Sequence, residues 1–110
     1  MSVVIKKNVI TMTRGDTLRA TVTVKDGIGN PYTPIEQDSI RFAMKRGYDD
    51  ENPVVLKSIP WDTCELHLEP SDTEDLPQPS DWVYDIEITL SNGDVQTIIS
   101  SRLRLREEVY

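Results

Sequence analysis

The sequence predicts an all-β fold, an antiparallel β-sandwich of about seven or eight short strands. Runs of alternating apolar and polar residues recur along the chain, turn residues separate them, and no window carries a strong helical period. The 110 residues match the usual length of one domain, so we expect residues 1–110 to form a single unit. Irregular strand spacing and a mid-chain helical corner favour a sandwich over a barrel.

Strand side chains point alternately to the two faces of a sheet, so each alternating run predicts an inward set. Residues 3–5, 9–12 and 95–106 also read as strands, and residues 54–59 read as a strand that is apolar on both faces. The predicted inward sets are Leu18, Ala20, Val22 and Val24; Ile40, Phe42 and Met44; Cys64, Leu66 and Leu68; Trp82, Tyr84, Ile86, Ile88 and Leu90; and Leu103 and Leu105.

Turn signals separate these strands. Residues 26–31 are rich in turn formers, and Pro70 should end the strand before it because it has no N–H to donate. Ser71 and Glu74 fit a capping box, which predicts a short helical turn near residues 71–76. Asn92-Gly93 predicts a two-residue hairpin, and the adjacent Ile98 and Ile99 predict a bulge near Ser100-Ser101.

Composition excludes several classes of function. The net charge is −7, from 12 basic and 19 acidic residues, which opposes binding to nucleic acid. No apolar run is long enough to cross a membrane, and no secretory signal is visible, so we expect synthesis in the cytoplasm. One cysteine and one histidine predict neither a disulfide nor a zinc site, and we expect no cofactor.

Four candidate sites each have a simpler structural interpretation. Arg14-Gly15-Asp16 matches a receptor-binding tripeptide, but a turn before a strand is favoured. Cys64 and His67 point to opposite faces of one predicted strand, so they should not act together as nucleophile and base. The acidic groups 49–51 and 72–75 could bind a weak ion, although solvated loops are favoured. Trp61 and Tyr48 could contact a ligand from loops, although packing at the rim is favoured.

No phosphate-binding glycine loop, serine elbow or metal-ligand cluster is present in the sequence, so we expect no enzymatic activity. Instead, Arg102, Arg104 and Arg106 form an outward row on the last strand, which is a possible interaction surface. They could meet an acidic face of a neighbouring copy, or they could simply be solvated. Residues 3–5 and 103–110 are expected to be sheet edges or extensions.

Several segments together resemble a family of small proteins from tailed phages and prophages. The segments are Thr13-Arg14-Gly15-Asp16-Thr17, Gly29-Asn30-Pro31-Tyr32, Ile40-Arg41-Phe42-Ala43-Met44, Leu68-Glu69-Pro70-Ser71-Asp72-Thr73, Trp82-Val83-Tyr84-Asp85-Ile86-Glu87-Ile88 and Asn92-Gly93-Asp94-Val95-Gln96-Thr97-Ile98. Together they are similar to the immunoglobulin-like domain at the start of phage baseplate upper proteins.

The resemblance implies an immunoglobulin-like sandwich that acts as a structural module of a virion tail, baseplate or capsid. Its partners would then be virion structural proteins or further copies of itself, with neither nucleic acid nor membrane involved. It would be made in the bacterial cytoplasm and located in the virion. The alternative is a carbohydrate-binding module for a bacterial surface glycan, which would need an exposed aromatic platform.

We predict that folding needs neither a metal ion nor a disulfide, because one cysteine and one histidine cannot supply either. A chelator or a reductant should therefore leave the thermal midpoint unchanged in calorimetry. A clear decrease with the chelator would contradict this prediction and indicate an ion site in an acidic loop.

Overall fold

The computed structural model describes residues 3–6, 8–25, 30–49, 51–76 and 80–106. The fold is all-β, with eight strands and one short helix in this part of the chain. The elements in chain order are β1 (Val3–Lys6), β2 (Val9–Thr13), β3 (Leu18–Thr21), β4 (Ser39–Lys45), β5 (Val55–Ile59), β6 (Glu65–Leu68), α1 (Pro70–Thr73), β7 (Ser80–Thr89) and β8 (Val95–Arg106).

The strands form a six-stranded sheet in the order β1-β2-β8-β7-β4-β5 and a two-stranded sheet of β3 and β6. Buried residues of both sheets belong to one apolar cluster. The expectation of a purely antiparallel fold was wrong, because β2 and β8 pair in parallel, with Ile10 opposite Leu103. Alternation defines which face is buried but not strand direction, and a connection that spans most of the chain permits parallel pairing.

The central strand of the core is β7, which lies between β4 and β8. Its predicted inward residues Trp82, Tyr84, Ile86 and Ile88 are buried, and Ile86 is only 2% exposed. The rings of Phe42 and Tyr84 lie 5.4 Å apart between centroids in a tilted arrangement that suits aromatic pairs. The predicted inward sets of β4 and of the end of β8 are also buried, so the register of the large sheet is confirmed.

Two predicted strands differ from their expected extent. The run from Leu18 is regular only to Thr21, yet Val22 and Val24 remain buried as predicted. The Val22 amide donates to the Cys64 carbonyl oxygen at 2.7 Å, which keeps the extension beside the small sheet. The strand that was apolar on both faces is β5, and its buried residues are Val55 and Ile59. The predicted turn at 26–31 lies mostly outside the described residues.

The β7–β8 hairpin has a longer loop than the predicted two-residue turn. Thr89 pairs with Val95, and the amide of Gly93 donates to the Leu90 carbonyl oxygen at 2.8 Å. Gly93 has φ +93°, a conformation that glycine adopts without a Cβ clash, whereas Asn92 is not in a left-handed conformation. The loop is therefore a turn that ends in a left-handed glycine, the arrangement found in three- to five-residue hairpins.

The bulge in β8 lies earlier than predicted. Ile86 pairs with Ile99 while Glu87 pairs with Thr97, so Ile98 is the extra residue. The two adjacent isoleucines are accommodated at this position, and the regular alternation through Ser100 and Ser101 is preserved.

The helical corner is one residue earlier than predicted. Pro70 is the first residue of α1, a position that suits proline because the N–H there has no helical partner. The Asp72 carboxylate accepts a hydrogen bond from the Glu69 amide at 2.7 Å. The capping interaction therefore joins Glu69 and Asp72, and the predicted Ser71–Glu74 pair was wrong.

We predict a large difference between two adjacent residues of β7. Ile86→Ala should lower the free energy of unfolding by about 2–5 kcal/mol, because it removes buried methyl groups and leaves a cavity. Glu87→Ala should change it by about 0.5 kcal/mol or less, since the Glu87 ion pair with Arg41 lies on the outer face. Urea denaturation of both variants checks the prediction, and equal costs would contradict the register.

Candidate interaction surfaces

The predicted arginine row lies on the outer face of the six-stranded sheet. Arg102, Arg104 and Arg106 are exposed, and they alternate with the buried Leu103 and Leu105, as expected. Arg104 lies 3.9 Å from the Asp81 carboxylate of the neighbouring strand. This pair is solvent-exposed, so its contribution to stability is small and both side chains remain accessible.

The expected edges were only partly correct. The strand Val3–Lys6 is the terminal strand of the large sheet. Residues 103–105, in contrast, pair with β7 on one side and with β2 on the other, so they form no edge. Residues 107–110 lie outside the described residues.

The Arg-Gly-Asp tripeptide forms the turn between β2 and β3, as the sequence favoured. Gly15 has φ +82°, and its amide donates to the Thr73 hydroxyl at 2.9 Å. The Arg14 guanidinium donates to the Glu74 carbonyl oxygen at 2.7 Å. The tripeptide therefore attaches the β2–β3 turn to the helical corner.

Cys64 and His67 occupy different parts of the chain around β6, because Cys64 precedes the strand and His67 lies within it. Cys64 precedes β6 with φ +53°, and its thiol lies 3.5 Å from the Trp61 carbonyl oxygen. Burial, with the nearby charge of Asp62, raises the pKa of the Cys64 thiol. A raised pKa reduces the thiolate fraction, so this cysteine is a poor nucleophile. His67 lies within β6, opposite Arg19 of β3.

The acidic groups do not converge in the part of the chain that the structure describes. Asp72 is engaged with the Lys57 ammonium at 3.0 Å and with the first turn of the helix. Within the described ranges, no three or more His, Cys, Asp or Glu side chains are grouped so that they could hold a metal ion. Asp50 of the first acidic group lies outside those ranges.

The two loop aromatics are exposed but separated. Tyr48 is 62% exposed and Trp61 is 39% exposed. Tyr48 lies in the loop before β5 and Trp61 lies in the turn after it, and a five-residue strand is roughly 13–16 Å long. The two side chains therefore begin at opposite ends of β5, an arrangement that does not favour one shared aromatic platform.

An apolar surface that sequence reasoning did not assign lies on β5. Val54 and Leu56 are 45% and 55% exposed, and Leu56 is paired with Ala43 on the outer face. Among the described strands β5 pairs only with β4, so it is a terminal strand whose other edge has no described partner strand. The sequence contained the signal, because residues 54–59 are apolar on both faces and only one face can enter the core.

A cleft of about 890 Å³ opens between the two sheets, and the sequence did not predict it. Ile98 and Ile99 line one wall, and Ala20 and Val22 line the other. Tyr84 also lines it, and the Tyr84 hydroxyl donates to the carbonyl oxygen of Asn8, the residue just before β2. Burial raises the pKa of Tyr84 to about 12, so the hydroxyl stays a donor at neutral pH.

Beside this cleft, β8 has an open edge. Residues 95–105 pair with β7, whereas on the opposite edge β2 pairs with residues 103–106 and its first residue, Val9, lies beside Arg102. No other described strand pairs with residues 95–102 on that side. The adjacent isoleucines of the bulge are thus only partly buried, although they pack against the core.

A buried carboxylate stabilises the long connection between β3 and β4. Asp38 accepts hydrogen bonds from the Tyr32 hydroxyl at 2.6 Å and from the Ile35 amide at 3.0 Å. The hydrogen bond from Tyr32 lowers the pKa of Asp38, and the backbone amides add to this effect although burial opposes it. Asp38 thus contacts Tyr32 and Ile35 of its own loop, and the backbone of Ser91 in the β7–β8 hairpin also lowers the Asp38 pKa.

Comparison with protein-family models, with curated proteins and with solved structures finds no match to this chain. In the described part of the chain, no helix has the length and apolar character needed to span a membrane.

We predict that Tyr32→Phe weakens the acid sensitivity of folding. Because the pKa of Asp38 is lowered by folding, its ionised carboxylate stabilises the folded state at pH values above the unfolded pKa of about 3.9. That stabilisation is lost as the pH falls through the lower pKa of the folded state. Without the hydroxyl the pKa is lowered less. The variant should therefore be less stable than the wild type at pH 6, and the two should converge near pH 2.

Urea denaturation at a series of pH values measures this convergence. Tyr48→Phe is the control, because Tyr48 is exposed and should leave the curve unchanged. A constant difference between Tyr32→Phe and the wild type at every pH would contradict the linkage to Asp38.

Proposed function

We propose that this chain is a non-catalytic structural module of a phage or prophage, an immunoglobulin-like sandwich that joins virion proteins in a tail, baseplate or capsid. The observation that carries the proposal is the exposed apolar edge at β5, where Leu56 is 55% exposed on a terminal strand. Proteins usually protect such edges with charge, proline or a covering element, because they pair with other chains.

Two further features support contact with protein rather than with other ligands. The net charge of −7 opposes association with the phosphates of nucleic acid. The outer face of the large sheet carries cross-strand pairs such as Arg41 with Glu87 at 2.8 Å, so charged groups surround the apolar edge. An apolar centre with a polar rim is the usual composition of a protein–protein interface.

The sequence resemblance supplies the class of partner. The segments that resemble baseplate upper proteins include the turn at Gly15 and the central strand β7, which are framework positions. They support an immunoglobulin-like framework, and the exposed edge supports a role in assembly. We therefore propose virion structural proteins as the partners.

We predict that the β5 edge is required for this binding. The wild-type protein and Leu56→Lys should be immobilised and exposed to a lysate of phage-producing cells, and captured proteins identified by mass spectrometry. The wild type should retain virion structural proteins. Leu56→Lys should lose them, because a charge on the edge opposes burial against another chain.

Ile35→Lys is the matched control, because Ile35 is an exposed apolar residue in the loop before β4 and does not belong to β5. It should retain the same proteins as the wild type. If the wild type retains no virion protein but binds a defined sugar on a glycan array, the proposal is wrong and the carbohydrate-binding alternative replaces it.

A further inference from the structure

We infer that the cleft between the two sheets binds a linear fatty carboxylate, with the aliphatic tail between the walls and the carboxylate beside Lys25. The cleft has a volume of about 890 Å³, which lies in the range of pockets that hold small organic ligands. The site is separate from the β5 edge, so it does not rest on the proposed function.

The interior of the cleft suits an aliphatic chain. Ala20 and Val22 lie on one wall, and Ile98 and Ile99 lie on the other. Among the described residues that line the cleft, the one aromatic ring belongs to Tyr84, which is only 3% exposed. A ring buried to this extent presents little face on which a sugar or an aromatic ligand could stack. The apolar walls therefore favour an aliphatic group.

The direction of the chain defines the two ends of the cleft. The Arg14 amide donates to the Arg106 carbonyl oxygen at 3.1 Å, so the turn that leads into β3 lies at the Arg106 end of β8. From this turn the chain runs along one wall from Ala20 to Lys25, whereas β8 runs towards Arg106 along the other wall. Lys25 therefore lies at the end farther from Arg106, where Gln96 is the first lining residue of β8.

The opposite end of the cleft has no polar side chain that requires a ligand. Ile10 is buried there, and the Tyr84 hydroxyl already donates to the carbonyl oxygen of Asn8. Burial raises the pKa of Tyr84 to about 12, so the hydroxyl is uncharged at neutral pH. The tail of the ligand therefore lies at this end, and its head group lies beside Lys25.

The charges of the lining favour an anionic head group. The chain has 19 acidic residues and a net charge of −7, yet none of the described residues that line the cleft is acidic. Lys25 is the one cation among them, and in the described ranges no carboxylate pairs with it. Its long flexible stem lets the ammonium reach a carboxylate at the rim. An anion is thus attracted here, although the net charge of the chain repels it.

The length of the wall sets the length of the tail. The wall from Ala20 to Lys25 covers five residue steps, so it is at most roughly 17 Å long. An extended dodecanoate is about 14 Å long, because its bonds of about 1.5 Å each advance the chain by roughly 1.25 Å. Dodecanoate therefore spans the cleft and leaves little of its tail in water.

The first test measures the binding of dodecanoate, below its micellar concentration, by isothermal titration calorimetry. The wild type should bind it, and the affinity should fall by about fourfold for each methylene removed in decanoate and octanoate, the factor for burial of a CH₂ group. Dodecylammonium has the same tail with a cationic head and should bind at least about tenfold more weakly. A wild type that binds no dodecanoate, or binds dodecylammonium equally well, would overturn the inference.

The second test concerns the head group. Lys25→Gln should weaken dodecanoate binding by about two- to fivefold, the factor for an exposed ion pair, and should leave the binding of uncharged dodecanol unchanged. Arg102→Gln is the matched control, because it removes one positive charge from the outer face of β8 and should change neither affinity. An equal loss of dodecanoate binding in the two variants would indicate non-specific attraction and contradict the site.

The third test concerns the walls. Ala20→Leu narrows the cleft and should weaken dodecanoate and dodecanol alike, with circular dichroism showing that the fold is retained. Gln96→Glu keeps the size of the side chain and adds a negative charge at the Lys25 end. It should weaken dodecanoate alone, so it decides the matter even where Ala20→Leu fails to fold. Dodecanoate binding that Gln96→Glu leaves unchanged would show that the head group does not lie in the cleft.

Discussion

The burial of one face of β7 is the constraint on which the rest of the structure depends. Because β7 is paired on both sides, its inward residues define the inner faces of β4 and β8 as well. A slip by one residue would place Tyr84 and Ile86 in water and their charged neighbours in the core. The Phe42–Tyr84 contact lies on this inward face, where two aromatic rings from adjacent strands meet.

The beginning and the end of the described chain are joined through the same core. The parallel pairing of β2 with β8 is continued by the Arg14 amide, which donates to the Arg106 carbonyl oxygen at 3.1 Å. Tyr84 reaches from β7 to Asn8 and is paired in register with Ser101 of β8. These contacts keep β2 on the last part of β8, and among the described strands only β7 pairs with its first part.

The exposed apolar residues of β5 and the partly buried isoleucines of β8 have different origins. At β5, both faces are apolar, so the residues that do not enter the core remain exposed on the outer face. At β8, the bulge gives the strand one extra residue. Ile98 and Ile99 are partly buried there, because they pack against the core and also line the cleft. In each case the exposed apolar surface is the part of a strongly apolar segment that a single chain cannot bury.

The sequence by itself determined the fold class, the inward sets of β4 and β7 and the outward arginines, because period-two alternation acts within one strand. It could not determine the parallel pairing of β2 with β8, because direction and partner depend on residues distant in the chain. The exact position of the bulge, the Glu69 cap and the length of the hairpin loop also depended on neighbouring elements. The cleft and the open edge were decided only by the tertiary structure, since each is defined by where a neighbouring strand ends.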